Sequence, residues 1–292
     1  MMTGSLARPH AKVPARQHTG QLVDQVLRRP HSPVSNDADP DESALPELLA
    51  KGLQCKSSKA YELAASWFQP AAQAGDMRAQ YHLAGLYKNG QGVSQDIAQA
   101  AHWYGKSAAQ GYARAQCHIG ILLKQGRGVS KDIVQAAMQF RQSAEQGDGK
   151  AQYHLGDLYR EGLGVPQDFG SAATWFRLAA DQGHVPAQYR LGELYREGLG
   201  VLQDFVQAAI WLRQAAGQGC NLAQHSLGNL YKHGLGVPQD LVQAAVWFRK
   251  AVDHGYVESC DEPRYLEGVI TRENRIPHLK PQPADHSVVT SH

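Results

Sequence analysis

A string of 36 residues that returns in register constrains this chain more than any other feature. Residues 151–186 read A-Q-Y-H-L-G-D-L-Y-R-E-G-L-G-V-P-Q-D-F-G-S-A-A-T-W-F-R-L-A-A-D-Q-G-H-V-P, and related strings begin at Ala79, Ala115, Ala187 and Ala223 without insertion. A period of this length marks an array in which each unit buries its apolar face only by stacking on its neighbours. Function in such a chain belongs to a surface rather than to a pocket.

Within each unit the apolar spacing predicts two helices. Ala151, Leu155, Leu158 and Tyr159 gather on one face of a first helix, A. Gly162 and Gly164, repeated in all five copies, end it, because glycine takes left-handed or crowded backbone without a steric penalty. Val165 and its counterparts are expected to plug the turn into the core. Asp96, Asp132, Asp168, Asp204 and Asp240 then occupy one unit position, suited to cap the N-terminus of a second helix, B. Helix B carries Phe169, Ala172–Ala173, Trp175–Phe176 and Ala179–Ala180, small residues for close approach and aromatics to fill the space left. The second full unit departs from the pattern at Cys117, Leu123 and Gln139 and is expected to be the least tightly packed. The fold class is all-α, built of helix-turn-helix repeats.

The unbroken period divides the chain of 292 residues into a basic leader (1–41), an imperfect N-terminal capping repeat (42–78) and five full repeats (79–258). A degenerate C-terminal cap (259–275) and a tail (276–292) follow. The leader holds Pro9, Pro14, Pro30, Pro33 and Pro40, and reads as disordered. Its basic residues also fit an organellar transit peptide, and residues 21–29 space Leu22, Val23, Val26 and Leu27 as one helical face that could dock. The capping repeat has Leu45, Leu48, Leu49 and Leu53 for a first helix, and residues 265–275 could form a last one. A net charge of +2 gives no bulk attraction to nucleic acid or membrane. No apolar run is long enough to span a bilayer, and no secretory h-region opens the chain, so the expected compartment is the cytoplasm. Cys55, Cys117, Cys220 and Cys260 fall at four different places in the frame, which favours free thiols over a disulfide framework.

The string A-Q-Y-x-L-G-x-L-Y-x-x-G-x-G-V-x-x-D-x-x-x-A-A-x-W-F-x-x-A-A-x-x-G resembles the Sel-one-like repeat, a branch of the tetratricopeptide superfamily. The resemblance implies a right-handed α/α superhelical solenoid that serves as an adaptor for protein complexes, with the A helices along its concave side. Some secreted, cysteine-rich relatives bind or hydrolyse β-lactams, but they carry a cysteine pair in each repeat, which this chain lacks.

Unit positions three, seven and ten of helix A face away from its core stripe. Position three includes Tyr81, Tyr153 and Tyr189, and position ten is basic throughout: Lys88, Lys124, Arg160, Arg196 and Lys232. Together they would form an aromatic and a cationic ladder, suited to a protein or peptide partner with carboxylates or phosphates. Asp157 and Glu193 stand three residues before Arg160 and Arg196, the spacing of ion pairs on any solvated helix. The column His82, His118 and His154 cannot share a metal, since neighbouring helices lie ~8–10 Å apart. It reads as partly buried structure, and the tryptophans Trp67, Trp103, Trp175, Trp211 and Trp247 read as core. No nucleophile–base pair, phosphate loop, metal motif or cofactor site is expected. The sequence therefore points to a non-catalytic, monomeric interaction scaffold. A β-lactam-directed enzyme and a self-assembling structural subunit are the alternatives.

Overall fold

The computed structural model describes residues 47–256 together with Glu262, Leu266, Gly268 and Thr271. The leader, the segment 21–29, Leu45, Cys260 and the tail lie outside the described residues. Among those described there are twelve helices and no strand: α1 (Glu47–Ser57), α2 (Tyr61–Gln73), α3 (Met77–Asn89), α4 (Ile97–Ala109), α5 (Ala113–Gln125), α6 (Ile133–Glu145), α7 (Gly149–Glu161), α8 (Phe169–Asp181), α9 (Val185–Glu197), α10 (Phe205–Gly217), α11 (Asn221–His233) and α12 (Leu241–Asp253). Odd numbers are A helices and even numbers B helices. The chain forms two compact units, Met1–Trp103 and Tyr104–His292, divided within α4. In the first, α1 packs on α2 and α2 on α3; in the second, α5 to α12 each pack on the next. This succession of helix pairs is the architecture of an α-solenoid.

The helix ends follow from local chemistry. Asp132, Asp168, Asp204 and Asp240 stand in extended backbone ahead of the B helices, and each carboxylate accepts from one or two backbone N–H groups of the first turn. Asp96 does the same for Gln99. At the other end, each A helix from α3 onward finishes on a glycine in the left-handed region, Gly162 of α7 at φ 69° being typical. The glycine two residues later has a second reason to be glycine. A Cβ on Gly200 would lie 2.2 Å from the carbonyl carbon of Phe169, so the A–B turn of one repeat rests directly on the start of the preceding B helix. The valine that follows is half-buried; Val201 packs on the cluster around Ala172, Phe176 and Leu194. In the first repeat, which lacks this turn, Lys59 takes the left-handed conformation instead, at φ 62°.

The core repeats with the sequence. Ala151, Leu155 and Leu158 of α7 and Ala172, Phe176 and Ala179 of α8, the helix packed on it, are all fully buried, while Tyr159 is half-buried. The tryptophans need a correction in degree. Trp103, Trp175 and Trp211 are buried, but Trp67 and Trp247 are only half-buried, and the aromatics with no exposure are the phenylalanines at the following unit position, Phe68, Phe140, Phe176 and Phe248. These rings sit against a glycine inside an A helix: a Cβ on Gly156 would come 2.8 Å from Phe176 Cδ1, and one on Gly120 2.8 Å from Phe140 Cε1. In the divergent repeat Cys117 and Leu123 sink deeper than the tyrosines they replace, and the buried Oε1 of Gln139 has no hydrogen-bond partner. Beyond α12, Glu262, Leu266, Gly268 and Thr271 are helical, and Leu266 is buried against Ala244 and Phe248.

A buried amide joins successive repeats. Gln152 Nε2 donates to the carbonyl of Ala144 in the preceding B helix at 3.2 Å, and its Oε1 accepts from Gln182 Nε2 of the following one at 2.9 Å. Gln188 repeats this with Ala180 and Gln218, and Gln224 with Ala216 and His254. One side chain thereby ties three helices with its polar atoms satisfied.

Candidate functional site

In the second unit, the face of the A helices away from the core carries a strip of charge that crosses repeats. Its centre is Asp157 of α7, only 8% exposed. Arg160 donates to Asp157 Oδ1 from NH2 at 2.9 Å, one turn along the same helix. Lys124 of α5 lies 3.6 Å from Oδ2, and Arg190 Nε of α9 lies 3.9 Å from Oδ1. Three successive A helices are thus linked through one carboxylate. On α9 the pattern recurs: Arg196 NH2 donates to Glu193 Oε2 at 2.8 Å and to Glu197 Oε1 at 2.6 Å. The hydrogen bond to Glu193 holds the Arg196 guanidinium pKa above its usual value. Lys232 pairs with Glu262 at 2.9 Å, so the last cation is engaged by the segment after the repeats.

Four rungs of the expected cationic ladder, Lys124, Arg160, Arg196 and Lys232, therefore stand against carboxylates. Arg160 is bound to both Asp157 and Glu161, and Lys124 and Lys232 each face a carboxylate. All stay about a quarter exposed, so each pair contributes only ~0–1 kcal/mol. The tyrosines turn inward. Tyr153 lies 5.9 Å from Phe176 and 4.9 Å from His184, centroid to centroid. Tyr189 packs on the cluster around Ala208 and Leu227, and burial pushes its hydroxyl pKa up to about 12. In the first unit Tyr81 meets the edge of His82 at 5.2 Å, and the half-buried Lys88 accepts at its carbonyl from Gln95.

The histidine column is structural. His82 stacks on Phe68, His118 on Tyr104 and His154 on Phe140, at 4.9–5.3 Å and 22–28° between planes. Burial, reinforced by Lys124, lowers the pKa of His154 to about 4, so it is neutral at ordinary pH. Among the described residues no three His, Cys, Asp or Glu side chains converge as a metal site, and Cys55 and Cys220 are free thiols. No helix among them is long and apolar enough to cross a membrane.

The family model for the Sel1 repeat matches residues 47–76, 78–112, 113–148, 149–184, 185–220 and 221–256. The chain belongs to the Sel1 repeat family. Solved Sel1-type structures resemble it. One is a protective antigen present in uropathogenic Escherichia coli strains, with an SLR fold, 36% identical at a TM-score of 0.72 over 76% of this chain and 49% of that one. Another is a Sel1 repeat protein from Oxalobacter formigenes, 28% identical at a TM-score of 0.68 over 77% of this chain and 99% of that one. The chain spans about half the length of the Escherichia coli antigen. A search of the curated proteins returns no match.

Two features of these Sel1 repeats escape a reading by periodicity. Arg190 stands in the histidine column, and nothing in its spacing connects it to Asp157, 33 residues earlier. The tyrosine that ends the helix A stripe has a polar role as well: Tyr159 accepts from Arg141, Tyr195 from Arg177 and Tyr231 from Arg213. The signal was present, since arginine and tyrosine recur 18 residues apart.

Proposed function

We propose that this Sel1 repeat protein is a non-catalytic, monomeric adaptor of the cytoplasm that binds a protein or extended peptide along its A-helix face. The observation that carries the reading is the placement of Asp157, which holds Lys124, Arg160 and Arg190 from three successive helices at fixed relative positions. Cations oriented in this way are preorganised for an acidic partner, which has only to exchange one carboxylate for another. Repeat arrays supply such extended faces because each unit adds one more row. Half-buried tyrosines give the face shape, and the charges, about a quarter exposed, give it selectivity.

The test is capture of partners from native lysate by the wild-type chain and by a variant with Lys88, Lys124, Arg160, Arg196 and Lys232 all changed to glutamine. A circular-dichroism melt first establishes that both fold. Specific partners held by the wild type and lost by the variant support the reading. Retention of the same partners by the folded variant overturns it.

A further inference from the structure

A different surface leaves apolar side chains in solvent. On α10 and α12, Val206, Ile210, Val242 and Val246 point to solvent with 54%, 39%, 54% and 42% of their surface exposed, and Leu202 in the turn before α10 is 91% exposed. Each helix contributes an i, i+4 pair, the spacing of a continuous ridge. Stacking of the repeats does not require apolar residues here, because α8 places Gly170 and Thr174 at the same positions and packs on α9 equally. The two ridges are neighbours. Gly236 rests on the backbone of Phe205 and Val206, so the turn entering α12 crosses the first turn of α10, and Trp247 packs on the cluster around Ala208 and Leu212.

One turn past the apolar pairs the face becomes basic. Arg213 and Arg249 continue the two ridges, and Lys250 lies 4.2 Å over the ring of Trp247; Asp253 is the acidic residue that follows. Arg213 also donates to Tyr231 at 2.8 Å, which fixes its direction. The exposed apolar area is on the order of 400 Å², the size of the stripe of a single helix, and the cations at its end suit an acidic occupant.

We propose that the groove between α10 and α12 binds an amphipathic helix of a partner protein, whose apolar stripe is followed by a turn of acidic side chains. The apolar stripe fills the space between the two valine ridges, and the acidic turn meets Arg213, Arg249 and Lys250. This site is separate from the A-helix face, and the fivefold glutamine variant described above leaves it unchanged.

The probe is a synthetic helical peptide of about 18 residues with leucines at i, i+4, i+7 and i+11 and glutamates in the last turn, titrated calorimetrically into the full chain. A scrambled peptide of the same composition is the control. The expected Kd is on the order of 10 μM. It should weaken at least tenfold when Val206, Ile210, Val242 and Val246 are changed to serine, and also when the peptide's glutamates become lysines. The four sites are exposed, so the variant should fold; the double variants Val206→Ser/Val242→Ser and Ile210→Ser/Val246→Ser test the same point if it does not. Unchanged affinity of the folded variants, or equal binding of the scrambled peptide, overturns the proposal. A wild-type dimer in sedimentation that the serines dissociate would assign the face to a second copy instead. A tenfold gain in peptide affinity on deletion of residues 1–41 would assign it to the chain's own leader, and either result overturns the proposal.

Discussion

Replacing Gly200 with alanine should cost far more stability than replacing Gly219, although both residues hold left-handed backbone, at φ 72° and 88°. Alanine in that conformation costs about 1–2 kcal/mol at either site. Around Gly219 nothing lies within 4 Å of the added Cβ, so its total stays at that value. At Gly200 the methyl would stand 2.2 Å from Phe169 C, 2.3 Å from Phe169 O and 2.4 Å from Gly170 N. These are backbone atoms in the first turn of α8 and cannot rotate aside. The turn must lift instead, drawing Leu199 and Val201 off the cluster they pack against. Forced displacement of this kind adds about 1–3 kcal/mol, giving a total of about 2–5 kcal/mol. Urea unfolding followed by circular dichroism measures the difference. Amide exchange across α8, α9 and α10 shows whether the loss is local, because repeat arrays can open unit by unit. Equal losses for the two variants would refute the close approach of turn and helix.

Gln152→Leu should destabilise by about 1–2 kcal/mol in the same assay, since two hydrogen bonds are lost while Gln182 Nε2 keeps the carbonyl of Gly147. Phe176→Ala should cost about 3–5 kcal/mol and Trp247→Ala about half of that, reversing the order expected from size, because only the phenylalanine is fully enclosed. For His154, the folded pKa near 4 lies below the unfolded value near 6.5, so the unfolded chain takes up the proton first. Its contribution is complete above pH 6.5 and is lost as the pH falls toward about 4, by at most about 3 kcal/mol, with His184 acting in the same direction. Chemical denaturation at pH 7 and pH 4.5 should show this slope, and His154→Asn should flatten it.

Much of the fold was legible because it is local. The aspartate column reports helix N-termini through bonds spanning two or three residues, as Asp168 makes to Gly170 and Ser171. The first glycine column likewise reports C-caps. The second column was legible as glycine, but its reason, contact with the preceding B helix, was not. Gln152 and Gly156 sit in the repeated string as plainly as Leu155, and periodicity gave no means of separating an amide that joins three helices from one that faces water. The site was less legible still. Spacing found the basic residues and the pairing of Arg160 with Asp157, yet it presented the tyrosines as an open ladder, whereas Tyr153 and Tyr189 pack inward.

The sequence by itself determined that the chain is a stack of helix pairs, where each helix starts and stops, and which stripe of each is apolar. Those properties follow from interactions along one helix, which the 36-residue frame displays directly. The tertiary structure decided which charges are already satisfied, which glycines lie against backbone and where apolar side chains remain in solvent. Lys124 to Asp157, Gln152 to Gln182 and Lys232 to Glu262 join positions 30 to 33 residues apart, on helices whose relative rotation comes from packing. No spacing along the chain encodes that rotation, so the free or occupied state of a surface charge becomes readable only once neighbouring repeats are in place.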